Sequence, residues 1–278
     1  MAVGIVVMLY VHHPALPELW DGLQNTNPDA AVLPIFPIMF VSIACGAISG
    51  FHATQSPLMA RCMTSERHGR PVFYGAMITE GIVALIWAAA ATYFFHENGM
   101  EENNASVIVD SITKGWLGVV GGVLAILGVI AAPITSGDTA FRSARLIVAD
   151  FLGMEQKSMS RRLYICIPMF VVAIGLLLYS LRDADGFNMI WRYFAWANQT
   201  LAVFTLWTIT VYLVRSKKPY WITLIPALFM TAVCSTYICI APEGLAFAHP
   251  LSYSIGGVCT LVATIWFFVW KRRSAQKD

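Results

Sequence analysis

A chain of 278 residues with 58% hydrophobic and only 12% charged residues, at a mean hydropathy of +0.65, has too little polar surface to face water, since an ordinary soluble domain carries about 25% charged residues. A formal net charge of +2 and the lack of any long basic tract exclude a nucleic-acid partner. The six cysteines form no CxxC pair and five lie in apolar runs, so neither a disulfide framework nor a zinc site is expected.

The first segment, Met1–Val11, is apolar but about 16 Å long as a helix, too short to span a bilayer. It has no basic n-region and no small-residue cleavage site, so it does not read as a signal peptide. We expect it to be the outer half of a helix whose inner half is missing, which would make this chain the C-terminal portion of a longer protein. A short interfacial anchor is the rival, and the segment has little amphipathic character to support it. Val11–Pro28 contains no Lys or Arg.

Seven runs then have the roughly 20 apolar residues that a crossing needs. They are Ala31–Ser49, Val72–Phe95, Gly115–Thr135, Leu163–Leu181, Tyr193–Val214, Tyr220–Ile240 and Leu251–Trp270. Trp116, Trp191, Tyr220, Trp221 and Trp270 sit near their ends, where aromatic rings anchor a helix to the interface. Counting alternate loops together with the tail collects 15 of the 18 Lys and Arg on one side, leaving Lys114, Arg182 and Arg192 on the other. Basic loops stay cytoplasmic, so the C-terminus is expected inside and the segment before Ala31 outside. The expected fold is all-α and polytopic, with about seven transmembrane helices. Residues 1–278 form one membrane domain, and residues 271–278 a short basic cytoplasmic tail.

Four polar constellations interrupt the apolar runs. The first is Gly46-Ala-Ile-Ser-Gly-Phe-His-Ala-Thr-Gln-Ser-Pro57. Gly46 and Gly50 have small-xxx-small spacing, which lets another backbone approach, and His52, Thr54, Gln55 and Ser56 follow directly. The backbone between Gly50 and Pro57 is expected to be broken. Non-helical backbone at membrane depth is tolerated only where it lines a cavity or packs in protein, and such breaks bind ions and carboxylates in transporters. The plainer reading is a helix end entering a loop. The second is Glu80, well inside Val72–Phe95. A carboxylate there costs about 3 kcal/mol or more, so it is expected to face the protein interior with a partner. Burial raises a carboxyl pKa and suits it to carrying a proton; a structural carboxyl is the alternative.

The third is Ala132-Pro-Ile-Thr-Ser-Gly-Asp-Thr-Ala-Phe-Arg-Ser-Ala-Arg145. Pro133 and Gly137 are expected to weaken the helix. Thr135, Ser136, Asp138 and Thr139 then offer oxygen ligands to a hard cation such as sodium, or Asp138 caps a following helix, Thr139–Leu152. Arg142 and Arg145 share a face that suits a carboxylate or lipid headgroups. The fourth places Asn198, Gln199 and Thr200 about one third of the way into a span, as a polar cavity wall or as interhelical hydrogen-bonding groups contributing about 0.6 kcal/mol each. No soluble-enzyme motif and no nucleophile–base pair is visible, so enzymatic activity, cofactor and metal are not expected.

The strings Ile43–Ala53, Val72–Ile82, Ala132–Arg145 and Tyr193–Thr200 closely resemble the carbon starvation protein A family of bacterial inner-membrane transporters. The resemblance runs from about Leu33 to Val214, and His52-Ala-Thr-Gln-Ser-Pro-Leu-Met-Ala-Arg61 is similar to its shorter branch. It implies an inverted-repeat secondary-transporter fold. It also implies import of peptides or small carboxylates such as pyruvate under carbon starvation, coupled to protons. Family members carry several more N-terminal helices. A nutrient sensor and an inactive transporter fragment are the alternative readings.

Overall fold

The computed structural model describes residues 2–12, 25, 33–43, 48–99, 105–182 and 184–275. The Val11–Pro28 loop beyond residue 12, except residue 25, lies outside them, as do Gly46 and the last three residues of the tail. Among the described residues there are nine α-helices and no strand: α1 (Ala2–His12), α2 (Ile35–Ser42), α3 (Phe51–Cys62), α4 (Ala76–Asn98), α5 (Ala105–Phe151), α6 (Met159–Arg182), α7 (Ala184–Arg215), α8 (Trp221–Ile240) and α9 (His249–Ala275). A 3₁₀ turn, Glu66–His68, and one wide π turn, Arg70–Gly75, lead into α4.

Among the described residues, six helical segments are long and apolar enough to cross a membrane: Glu66–Asn98, Val107–Gly128, Met159–Arg182, Met189–Arg215, Trp221–Ile240 and His249–Ser274. Six of the seven expected runs therefore have a long helix. The first does not. The described residues of Ala31–Ser49 hold only α2, of 8 residues; residues 48–50 are non-helical, and α3, of 12 residues, follows them. Laid end to end, the two contain about 30 Å of helix, the thickness of a hydrocarbon core.

Two compact units are present. The first contains Met1–Pro28 and Met63–Gly175. Here α1 seats Ile5 against Ala90 of α4 and Ile108 and Ile112 of α5, with Trp87, Phe94 and Trp116 around them. Lys114 pairs with Asp110 one turn earlier at 2.6 Å. The second contains Asp29–Cys62 and Leu176–Asp278. Its centre is α8, whose Met230, Val233, Cys234 and Tyr237 bury against Val41 of α2 and Ala195 of α7. The Phe40 and Phe229 rings meet edge to face at 4.9 Å.

Much of the apolar surface faces outward: Leu85 is 71% exposed and Val119 82%. Helices in lipid satisfy their backbone groups internally and lose nothing by exposing such side chains.

Two expectations about helix continuity are corrected. The helix does not break at Pro133–Gly137: α5 continues through both residues to Phe151. Its irregularity lies at Gly118, with φ +63° and ψ −155°, a conformation that glycine reaches without the Cβ clash of other residues. Pro133 removes one intrahelical donor, a loss that spanning helices tolerate. Nor is Gly50–Pro57 broken. The chain is helical from Phe51 through Pro57 to Cys62, and the break lies before Phe51.

Candidate functional site

The site is the break between α2 and α3, in the second unit, and α7 is what holds it. A helix beginning at Phe51 leaves its first amides without intrahelical acceptors. Gly50, at the head of α3, has no side chain to cap them. The acceptor comes from 147 positions away: Asn198 Oδ1 of α7 accepts the Phe51 N–H at 2.8 Å. Ser49 Oγ completes a triangle, 3.3 Å from Asn198 Oδ1 and 3.2 Å from Asn198 Nδ2. Ser49 Oγ also lies 3.3 Å from Phe51 N.

Close approach is the condition for this cap. A Cβ on Gly50 would stand 2.2 Å from the Asn198 carbonyl oxygen and 2.6 Å from the Ala202 nitrogen. Only glycine allows two backbones that near.

Gln199, the next residue of α7, braces the other half. Its Nε2 donates to the Phe40 carbonyl of α2 at 3.1 Å. The side chain is 1% exposed, and its Oε1 has no partner among the described residues. A buried amide oxygen left so costs about 1–3 kcal/mol, which marks the position as one that a donor would occupy. Asn198 and Gln199 thus act as interhelical hydrogen-bonding groups, the alternative to a cavity wall.

His52 turns back to the break. Its Nδ1 lies 3.1 Å from the Ser49 carbonyl. A carbonyl can only accept, so Nδ1 carries the proton and Nε2 presents a lone pair when the ring is neutral. Thr54 Oγ1 donates to Phe51 O at 2.8 Å within α3. His52, Thr54, Gln55 and Ser56 are all half-buried in the first turns of α3. Four expected residues near the break therefore belong to one helix start, which Asn198 ties to α7, while Gln199 ties α2 to the same helix.

The remaining candidates lie in the first unit. Glu80 is exposed on α4 with no hydrogen-bond or ion-pair partner among the described residues. This departs from the expected inward-facing, partnered carboxylate. Asp138 is not a helix cap: it lies within α5 and pairs with Arg142 at 2.8 Å, both side chains exposed. Thr139 is half-buried, and the side chains of Thr135 and Ser136 lie outside the described residues. No group of three His, Cys, Asp or Glu able to hold a metal ion occurs among the described residues.

One cluster was not anticipated. Glu243, in the turn after α8, has a side chain only 6% exposed. It accepts from Tyr237 Oη at 2.8 Å and lies 3.7 Å from Arg192 Nη1. Tyr193 Oη donates to its backbone carbonyl. The signal was an acid between Pro242 and Gly244 directly after an apolar run, which reads as an ordinary loop charge.

The family model described as carbon starvation protein CstA matches residues 1–115 and 103–237. An uncharacterised protein of Haemophilus influenzae is 47% identical over 132 residues, which cover 48% of this chain and 91% of that protein. The peptide transporter CstA of Escherichia coli is 26% identical over 300 residues, covering 83% of this chain and 42% of its own length. That of Bacillus subtilis is 26% identical over 337 residues, covering 99% and 56%. The chain spans about half the length of these two transporters. No solved structure gives a significant match. With the family model matching most of its length, this chain belongs to the carbon starvation protein CstA family.

Proposed function

We propose that the chain forms part of a bacterial inner-membrane secondary transporter for peptides or small carboxylates such as pyruvate, coupled to protons. The observation that carries this reading is the broken α2–α3 element braced on both sides of the break by consecutive residues of α7. Such breaks free backbone groups for a ligand at membrane depth. The open acceptor of Gln199 and the Nε2 of His52 suit a group that brings N–H donors, as a peptide ammonium does. That the E. coli and B. subtilis relatives are peptide transporters adds support for peptides. Glu80 is the proposed proton carrier, and Asp138 with Thr135, Ser136 and Thr139 a proposed ion site. In the orientation drawn from the basic loops, the C-terminus is cytoplasmic.

The test is uptake of a labelled dipeptide and of labelled pyruvate into vesicles containing this chain, with an imposed pH gradient. Gradient-dependent uptake above empty vesicles, lost in Glu80→Gln with the fold intact, is expected. Uptake unchanged by Glu80→Gln removes the proton role. No uptake of either substrate refutes transport by this chain alone. That outcome would favour the second reading, an inactive fragment or sensor.

A further inference from the structure

The faces of α7, α8 and α9 enclose an open groove of about 570 Å³ in the second unit. Trp207 and Val211 of α7, Thr231 of α8, and Trp266, Phe267 and Trp270 of α9 line it. The one hydroxyl is already used: Thr231 Oγ1 accepts from Trp207 Nε1 at 3.0 Å and donates to Ala227 O at 2.6 Å. The body of the groove therefore offers an occupant apolar surface and aromatic rings.

One end of the groove is cationic. Arg215 lies one turn beyond Val211 on the same face of α7, and its guanidinium stands over the Trp270 ring at 5.9 Å. Lys271 follows Trp270, with Nζ 2.7 Å from Tyr220 Oη. Arg272 and Arg273 are exposed in the same turn. Among the described residues no carboxylate pairs with them. From Gly186 to the C-terminus the sequence has two acids, Glu243 and Asp278; Asp278 lies outside the described residues, and Glu243 is held by Tyr237 and Arg192 after the far end of α8. That end is about 30 Å from the α8 start beside Tyr220.

We propose that this groove is a binding site for an anionic phospholipid, with an acyl chain along the rings and the headgroup phosphate at Arg215 and Lys271. An amphiphile with one apolar chain and one negative head matches both halves of the lining, and basic pockets between membrane helices hold anionic headgroups in this way. The proposal rests on the chain lying in a membrane and is independent of transport activity.

Native mass spectrometry of the purified full chain, titrated in detergent with phosphatidylglycerol or phosphatidylcholine, tests it. Phosphatidylglycerol should be retained at least about fivefold better. Arg215→Gln with Lys271→Gln should bring the ratio near one, whereas Arg161→Gln on α6 should leave it unchanged. Val211→Trp, filling the groove, should lower retention of both lipids while circular dichroism shows the helices intact. Equal retention of the two lipids overturns the proposal. So does a preference that survives loss of both basic groups, or a second protein chain in the groove, seen as a larger mass that Val211→Trp abolishes.

Discussion

Replacing Gly50 by alanine places a methyl group where two backbones meet. The new carbon would lie 2.2 Å from the Asn198 oxygen, 2.6 Å from the Ala202 nitrogen and 2.7 Å from the Leu201 Cβ. The first two are main-chain atoms of a helix and cannot rotate aside. To restore ordinary van der Waals spacing, α3 must retreat from α7 by about 1 Å or more. That retreat stretches the 2.8 Å bond from Phe51 N to Asn198 Oδ1 past the limit for a useful hydrogen bond. Overpacking costs about 1–3 kcal/mol and an orphaned amide a similar amount, so a loss of roughly 2–4 kcal/mol is expected. Gly257→Ala in α9 is the control, because a Cβ there meets nothing within 4 Å. It should stabilise by roughly 0.5–1 kcal/mol, the usual gain of alanine over glycine in a helix. Thermal unfolding of both variants in lipid nanodiscs, followed by tryptophan fluorescence, makes the comparison. Gly50→Ala melting at the same temperature as Gly257→Ala would refute the close-approach argument.

Asn198→Leu should strand the Phe51 amide, and hydrogen exchange read by mass spectrometry should speed up at the start of α3 while α8 stays protected. Equal protection in both proteins would mean that Asn198 does not cap α3. Glu243→Ala should cost about 1–3 kcal/mol by leaving Tyr237 Oη without its acceptor. Glu243→Gln keeps that acceptor and loses only the long pair with the half-exposed Arg192, so it should cost less than about 1 kcal/mol; a melting experiment that ranks the two equally contradicts the assignment. Asp138→Asn removes an exposed pair one turn apart and should shift stability by no more than about 0.5 kcal/mol. A larger drop in denaturant midpoint would show that Asp138 makes a buried interaction.

The long helices were legible because lipid demands runs of apolar side chains, and such runs are local. Tyr220–Ile240 differs from α8 by one residue, and Leu163–Leu181 lies within α6. The broken element was legible as a place but not as a geometry. Glycine, histidine and hydroxyl residues around Gly50 announced an interruption, yet its position is set by the Asn198 side-chain Oδ1 from another helix. Local composition therefore placed the break several residues late. Pro133 and Gly137 carried a stronger local signal than Gly118, and α5 nevertheless departs from helical geometry at Gly118. Glu243 was invisible for a related reason. Whether a loop carboxylate is solvated or enclosed depends on Tyr193, Arg192 and Tyr237, which only folding brings to it.

The adjacency of Asn198 and Gln199 has a mechanical consequence. Neighbouring residues on a helix share one rigid body, so α2 and α3 are fastened to the same short stretch of α7. A slide of α7 by a single residue, about 1.5 Å, would pull on both fastenings together. The two half-helices cannot then part independently: any displacement of α7 works the break as one hinge with a common pin.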